Sequence, residues 1–219
     1  KNGAPRCVFI SGGGSGIGRG LAHRLAQEGA SVAVFNRKLA PDVLAELRAL
    51  AINSSQRFEN YSADVSDFVA LKTAIDRAVA EMGAPDLVIN SAGIQDAKLF
   101  EDQTEAEFNL VVAVNLGGSR NIAAVTLPHI PSGGQLVLIS SLAALAGTYA
   151  YSAYCTSKFA VRGLAECLRL EYKLRGIDVS LCCPGEVITP LVIEERKTLH
   201  PISAALKEFA GHQEVEASV

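Results

Sequence analysis

Tyr154 and Lys158 stand four residues apart in the run Ser152-Ala-Tyr-Cys-Thr-Ser-Lys158, with Ser141 upstream at the end of an apolar stretch. On a helix, positions i and i+4 share a face, so this spacing brings an ammonium group near a phenol hydroxyl. A nearby positive charge favours the phenolate and lowers the phenol pKa from its ordinary value of about 10. A hydroxyl tuned in this way exchanges a proton with an alcohol or ketone near neutral pH. On its own the pair also suits an aromatic ring packed beneath a lysine stem. The rest of the chain has to decide between the two.

A second group suited to chemistry is rich in glycine. Residues 11–18 read Ser-Gly-Gly-Gly-Ser-Gly-Ile-Gly and follow the apolar run Cys7–Ser11. Gly12, Gly14, Gly16 and Gly18, with Ser15 and Ile17 between them, let a backbone turn tightly against a pyrophosphate, and the helix that follows offers its N-terminus to that charge. The spacing is GxxxGxG, and the Gly-Lys-Ser/Thr ending of an NTPase phosphate loop is absent. At the tip of the second strand stand Asn36, Arg37 and Lys38. An acid at this place holds the ribose 2′-hydroxyl of NAD, whereas a basic residue accommodates the 2′-phosphate of NADP. No carboxylate is present, which favours NADP(H) over NAD(H). The other reading of Arg37 and Lys38 is a pair of solvated loop charges. Asp64, followed by Val65, either accepts from an adenine amino group or starts the next helix. Asn90-Ser91-Ala92-Gly93 ends the fourth strand with residues small enough for a cofactor to lie close. Asn115 falls in mid-helix, where a buried amide needs partners, either structural ones or a held water.

These residues can meet only if the fold gathers them. Apolar runs at Cys7–Ser11, 31–35, 57–62, 86–90, 135–140 and 177–182 read as strands. Amphipathic segments at 17–28, 41–50, 67–82, 104–125 and 152–174 read as the helices between them. Pro41 suits a first helical turn, Thr104 and Glu107 have the capping-box form, and Gly83 and Gly176 are helix stops. The alternation predicts an α/β fold: a Rossmann-type, doubly wound parallel sheet in three layers, as a single domain over 1–219. Ser11, Asn90, Ser141 and Cys182 all fall at strand ends, and ligands of open parallel sheets bind at the carboxyl ends. Beyond Pro190 the pattern fades: 191–200 reads as charged and mobile, 203–210 as a short helix.

Composition excludes several function classes. The chain has 219 residues, 49% hydrophobic and 20% charged, enough for one sizeable core. A net charge of −3 gives no basic footprint for nucleic acid. Residues 121–157 carry no Asp, Glu, Lys or Arg, but Pro128, Pro131, Gly133 and Gly134 interrupt them before a membrane-spanning length is reached. Five cysteines, an odd number without CxxC and three of them in apolar stretches, predict reduced, buried thiols in a cytoplasmic protein. The four histidines show no metal-ligand spacing, so no metal site is expected. No secretory leader is visible, and the lack of an initiator Met points to ends set by processing or design.

In order and spacing, Gly12, Gly16 and Gly18, then Asp64, Asn90-Ser91-Ala92-Gly93, Asn115, Ser141, Tyr154 with Lys158, and Pro184-Gly185 followed by Thr189 resemble the short-chain dehydrogenase/reductase family over roughly residues 6–190. The resemblance implies an oxidoreductase that moves a hydride between NADP(H) and a carbonyl or secondary alcohol. Tyr154 would be the general acid/base, and Lys158 would hold the nicotinamide ribose and depress the Tyr154 pKa. Ser141 would hydrogen-bond the substrate oxygen, and Asn115 would order a water in a proton relay. Cofactor contacts would come from the glycine turn including Gly14, Ser15 and Ile17, from Asn36, Arg37 and Lys38, from Asp64 and Val65, and from Asn90, Ala92 and Gly93. Pro184 and Gly185 would flank the cofactor, with Ile188 and Thr189 at the nicotinamide carboxamide. The implied partners are a small ketone or alcohol and further copies of the chain, in a homodimer or homotetramer built through helices 104–125 and 152–174.

Residues 159–166 and 184–190 are similar to the branch that includes 3-ketodihydrosphingosine reductases, which points to a long-chain keto substrate. Tyr149 and Tyr151 either line an apolar pocket or pack at a subunit interface. Two departures stand out. Ser91 replaces the family's second Asn, and nothing after Pro190 reads as the usual seventh strand. Residues 190–219 are therefore expected to be an atypically short substrate lid. The thin C-terminus leaves open a second function class: a catalytically weak nucleotide-binding sensor or scaffold of the same fold.

Overall fold

Six short strands pair into one parallel sheet, the apolar ones inside it and the more polar Phe58–Ser62 and Asp178–Cys182 at its two edges. They are β1 (Cys7–Ser11), β2 (Ser31–Asn36), β3 (Phe58–Ser62), β4 (Leu87–Asn90), β5 (Gln135–Ile139) and β6 (Asp178–Cys182). The structure, a computed structural model, describes residues 7–38, 41–209 and 215–216. The strand order is β3-β2-β1-β4-β5-β6, so the winding reverses between β1 and β4. The register sets Ser11 beside Phe35 on one side and Asn90 on the other, which aligns the carboxyl ends.

Alternation along β1 separates two cores. Phe9 faces the one shared with α3 (Phe68–Met82), α5 (Gly118–Thr126) and α6 (Ser152–Lys173); Val8 and Ile10 face the one shared with α1 (Gly16–Gln27) and α2 (Pro41–Ala49). Helix, sheet and helix thus form the three layers expected. β6 closes the sheet at one edge, where Arg169 of α6 donates to the Val179 carbonyl at 2.9 Å. Cys182 is exposed there, and so is Cys167 on α6; only Cys7 and Cys155 are fully buried, which corrects the expectation of buried thiols.

The helix expected over 104–125 is not continuous. Thr104 caps α4 (Glu105–Val112) through the capping box with Glu107. A π-helical turn, Ala113–Gly117, then precedes α5. Asn115 sits in this turn, a form found mostly at functional sites. The C-terminal region also departs from expectation. Thr189 caps α7 (Pro190–Arg196) by accepting from the Val192 amide at 3.3 Å, and α8 (Pro201–Phe209) follows. Both helices begin on proline, whose missing N–H costs nothing in a first turn. Residues 191–200 are therefore largely helical. A short β7 (Val187–Ile188) pairs in parallel with β8 (Val215–Glu216), and no seventh strand joins the main sheet among the described residues. Ala210 and most of 214–219 lie outside the described residues. No helix among them is long and apolar enough to cross a membrane.

Asp67, not Asp64, caps α3, accepting from the Val69 and Ala70 amides at 3.0 Å each. Asp67→Ala should lower the unfolding free energy by about 1 kcal/mol, measured by urea denaturation.

Candidate active site

A cleft of about 990 Å³ opens over the carboxyl ends of the strands, at the β1–β4 reversal. Its floor is the glycine turn. Gly12 has φ of +69°, and a Cβ there would lie 2.8 Å from the Ala92 amide nitrogen; a Cβ on Gly18 would overlap the Gly12 carbonyl. The turn thus brings bare backbone against β4 and α1 against the turn, leaving a cradle that larger side chains would fill. Ser15 precedes α1 with its hydroxyl uncommitted to capping, and the first turn of α1 has no acid. The free N–H groups of a twelve-residue helix therefore face the cleft, an arrangement that attracts phosphate.

The β2 tip supplies the next wall. Asn36 accepts from the Gly14 amide at 2.8 Å and so holds the turn to the strand. Arg37 and Lys38 are exposed, line the cleft, and make no ion pair among the described residues. Asp64 accepts from the amide and hydroxyl of Ser66 at 2.8 and 2.6 Å, which shapes the loop under the cleft. It does not open α3.

At the other end, Ser141, Tyr154 and Lys158 converge. The Ser141 hydroxyl favours the Tyr154 phenolate by hydrogen bonding, but burial outweighs it and pushes the phenol pKa up. Lys158 is 6% exposed and donates to the Ile139 carbonyl at 3.1 Å. Its Nζ stands 5.5 Å from the Tyr154 ring centroid. Burial pushes the lysine pKa down to about 8. The expected helix-face pairing is therefore real in geometry, but its electrostatic consequence differs. Burial disfavours the charged form of each group, yet a lysine titrating at about 8 still carries its proton at neutral pH.

Asn115 does not line the cleft. Its Oδ1 accepts from the Ile94 amide, and its Nδ2 donates to the Ile94 carbonyl and to Ser157, all at 2.9 Å. Ser157 in turn donates to the Tyr154 carbonyl at 2.7 Å. On the other side, Ser119 donates to the Asn115 carbonyl at 2.6 Å and accepts from Asn90 at 2.9 Å; Asn90 also accepts from Ser11. A continuous buried chain of hydrogen bonds thus runs from β1 to the backbone of Tyr154. The Asn115 amide is thus satisfied by protein partners, with both Nδ2 hydrogens committed to them.

Of the remaining expected residues, Gly12, Ser15, Gly16, Ile17, Asn36, Asp64, Val65, Ala92, Gly93, Pro184, Gly185 and Thr189 line the cleft. Gly14, Gly18, Asn90 and Ile188 do not: they hold the wall from behind. Sequence reasoning missed the contribution of the C-terminal helices. Glu195 on α7 is bound by Gln95 at 2.5 Å and by Lys207 of α8 at 3.2 Å, while Lys207 also pairs with Glu186 at 3.1 Å and Arg196 with Glu186 at 2.6 Å. Burial pushes Glu186 up, but the hydrogen bonds from Arg196 and Lys207 outweigh it and leave its pKa below the ordinary value. Charged partners ten or more residues apart, on two short helices and the loop before them, carry no periodic signal, so this cluster was not readable from the sequence. Among the described residues, no group of His, Cys, Asp or Glu could hold a metal ion.

Comparison with known proteins agrees with this geometry. A family model described as short chain dehydrogenase matches residues 6–200. The chain belongs to that family. It is 38% identical over 190 residues to the probable oxidoreductase EphD of Mycobacterium tuberculosis, covering 84% of this chain and 31% of that protein. It is 36% identical over 212 residues to 3-dehydrosphinganine reductase TSC10B of Arabidopsis thaliana (94% and 62%), and 32% identical over 196 residues to 3-ketodihydrosphingosine reductase of Mus musculus (87% and 59%). The chain spans less than two thirds of each of these relatives. Among solved structures, a short chain dehydrogenase from Burkholderia cenocepacia in complex with NADP superposes with a TM-score of 0.86 at 29% identity, covering 99% of this chain and 87% of that one. One from Mycobacterium paratuberculosis bound to NAD gives 0.83 at 29% identity, with 97% and 86% covered. This short-chain dehydrogenase therefore has structural neighbours with either nicotinamide.

The depressed Lys158 pKa has a measurable consequence. A free lysine titrates at 10.5, so between about 8 and that pH the unfolded chain binds more protons than the folded one, and stability rises with pH across the window. Lys158→Met removes this dependence. From pH 8 to 10.5 the stability difference should shift toward the wild type by on the order of 3 kcal/mol, read by urea denaturation of the ligand-free proteins. A difference that does not move with pH would show that the ammonium is not desolvated.

Proposed function

We propose that the chain is an NADP(H)-dependent oxidoreductase that interconverts a carbonyl and a secondary alcohol, with Tyr154 as general acid/base. The observation that carries this reading is one cleft with Ser141, Tyr154 and Lys158 at one end and an anion-receptive turn beside Arg37 and Lys38 at the other. A nicotinamide bound there supplies or accepts the hydride. The Gly12 cradle and the α1 N-terminus would hold its pyrophosphate, Arg37 and Lys38 its 2′-phosphate, and Lys158 its ribose. In ketone reduction Tyr154 passes its proton to the substrate oxygen, while Ser141 donates a hydrogen bond to the same oxygen as charge develops.

The substrate end of the cleft supports a long-chain keto compound. Leu142, Leu191 and Leu206 line it and remain 40–52% exposed, so an apolar tail could leave over them. In this reading α7 and α8 form the substrate lid of a single-domain enzyme. Leu110 on α4 and Phe159 and Leu170 on α6 are exposed apolar residues on the two helices expected to pair between subunits, which supports a homo-oligomer. Five free thiols suit a reducing compartment such as the cytoplasm.

Two experiments test the function. Tyr154→Phe should lower ketone reduction by about 10²- to 10⁴-fold while NADPH binding, followed by fluorescence, stays intact. Unchanged turnover of a good substrate would remove Tyr154 from the chemistry. NADPH should raise the Tm more than NADH at matched concentration, and Arg37→Asp should invert that order. A larger shift with NADH in the wild type would overturn the cofactor assignment.

A further inference from the structure

We propose that the Tyr151 hydroxyl is a specificity contact that takes up a second, neutral hydrogen-bonding group of the substrate, a hydroxyl first among them, on a carbon next to the reacting carbonyl. The proposal deepens the carbonyl-reductase reading and rests on it. Tyr151 immediately precedes α6, lines the cleft and is 5% exposed. Its ring stands edge-on to that of Tyr154, with centroids 6.3 Å apart. Its phenol oxygen is buried and has no hydrogen-bond partner among the described residues.

An unsatisfied buried hydroxyl costs about 1–3 kcal/mol, and phenylalanine would fill the same space without that cost. The backbone adds to the expense. Ala150, the preceding residue, has φ of +63°, a left-handed conformation that residues with a side chain seldom adopt. Both penalties fall on the two residues that place one phenol beside the acid/base. A partner supplied by the substrate accounts for them together.

The surroundings select the kind of partner. Lys207 lies 6.0 Å from the Tyr151 ring centroid, and its charge is met by Glu186 and Glu195; Glu195 is also bound by Gln95, and Glu186 by Arg196. These charges are matched to one another and recognise neither an anion nor a cation. A neutral group that can donate and accept is what remains for the phenol. Because Ser141 and Tyr154 address the carbonyl oxygen, the second group belongs on a neighbouring carbon.

The test compares methyl octyl ketone with hydroxymethyl octyl ketone, using the 219-residue chain and NADPH or NADH. The wild type should favour the hydroxy ketone about tenfold in kcat/KM. Tyr151→Phe should abolish that preference through KM, keep kcat/KM on methyl octyl ketone, and leave the ligand-free Tm unchanged or higher. Equal wild-type efficiency on both ketones, a Tyr151→Phe loss shared by both, or a lower Tm would each overturn the proposal. The last of these would mean that the hydroxyl already has a partner in the resting protein. Reduction of neither ketone by the wild type, with either nicotinamide, would sink the reductase reading itself and the proposal with it.

Discussion

Five buried polar side chains, Ser11, Asn90, Ser119, Asn115 and Ser157, run from the end of β1 to the backbone of Tyr154. None is more than 2% exposed. A buried polar group left without a partner costs about 1–3 kcal/mol, so each member of the line holds its neighbours in place. The consequence is positional. The glycine turn, the β4 loop at Ile94 and the start of α6 are fixed to one another by directional bonds, not by apolar packing, which tolerates sliding. Reacting groups must meet within a few tenths of an ångström, and this line joins the glycine turn to the segment that bears Tyr154.

Asn115 joins the line from within the π-helical turn: its side-chain amide engages Ile94 and Ser157, and its carbonyl accepts from Ser119 one turn on. The C-terminal helices are joined to the same loop by different means. Gln95, next to Ile94, binds Glu195 of α7, and Glu195 and Lys207 connect α7 to α8. The two helices are thus held to the cleft wall by charged hydrogen bonds, whereas the wall itself is held by the buried neutral line.

How much of this was legible follows from the range of each interaction. Strand ends, the glycine turn and the i to i+4 pair at Tyr154 are local features, and local spacing reports them. The continuous apolar run Cys7–Ser11 reported a strand buried on both faces. Asn115 was recognisable as a misfit in a helix, but its partners lie at Ile94 and Ser157, 21 and 42 residues away, and no pattern connects them. The lid was misread for a related reason. Residues 191–200 are charged, which resembles a solvated loop, whereas Glu195 is among the most buried acids because Lys207 and Gln95 fold over it. Thr189 showed the same ambiguity: a residue expected at the nicotinamide also caps α7, and one hydroxyl near a helix start serves either role.

The electrostatics of Tyr154 and Lys158 show why spacing alone misjudged their state. A shared helix face places Lys158 near Tyr154, but the ammonium turns to the Ile139 carbonyl and meets the ring, not the oxygen. Burial then acts on both groups in the same direction, toward neutrality: it raises the phenol and lowers the amine. The two are also coupled through space. A charged Lys158 makes the Tyr154 phenolate less costly, and by reciprocity a phenolate at Tyr154 would help Lys158 to keep its charge by the same factor.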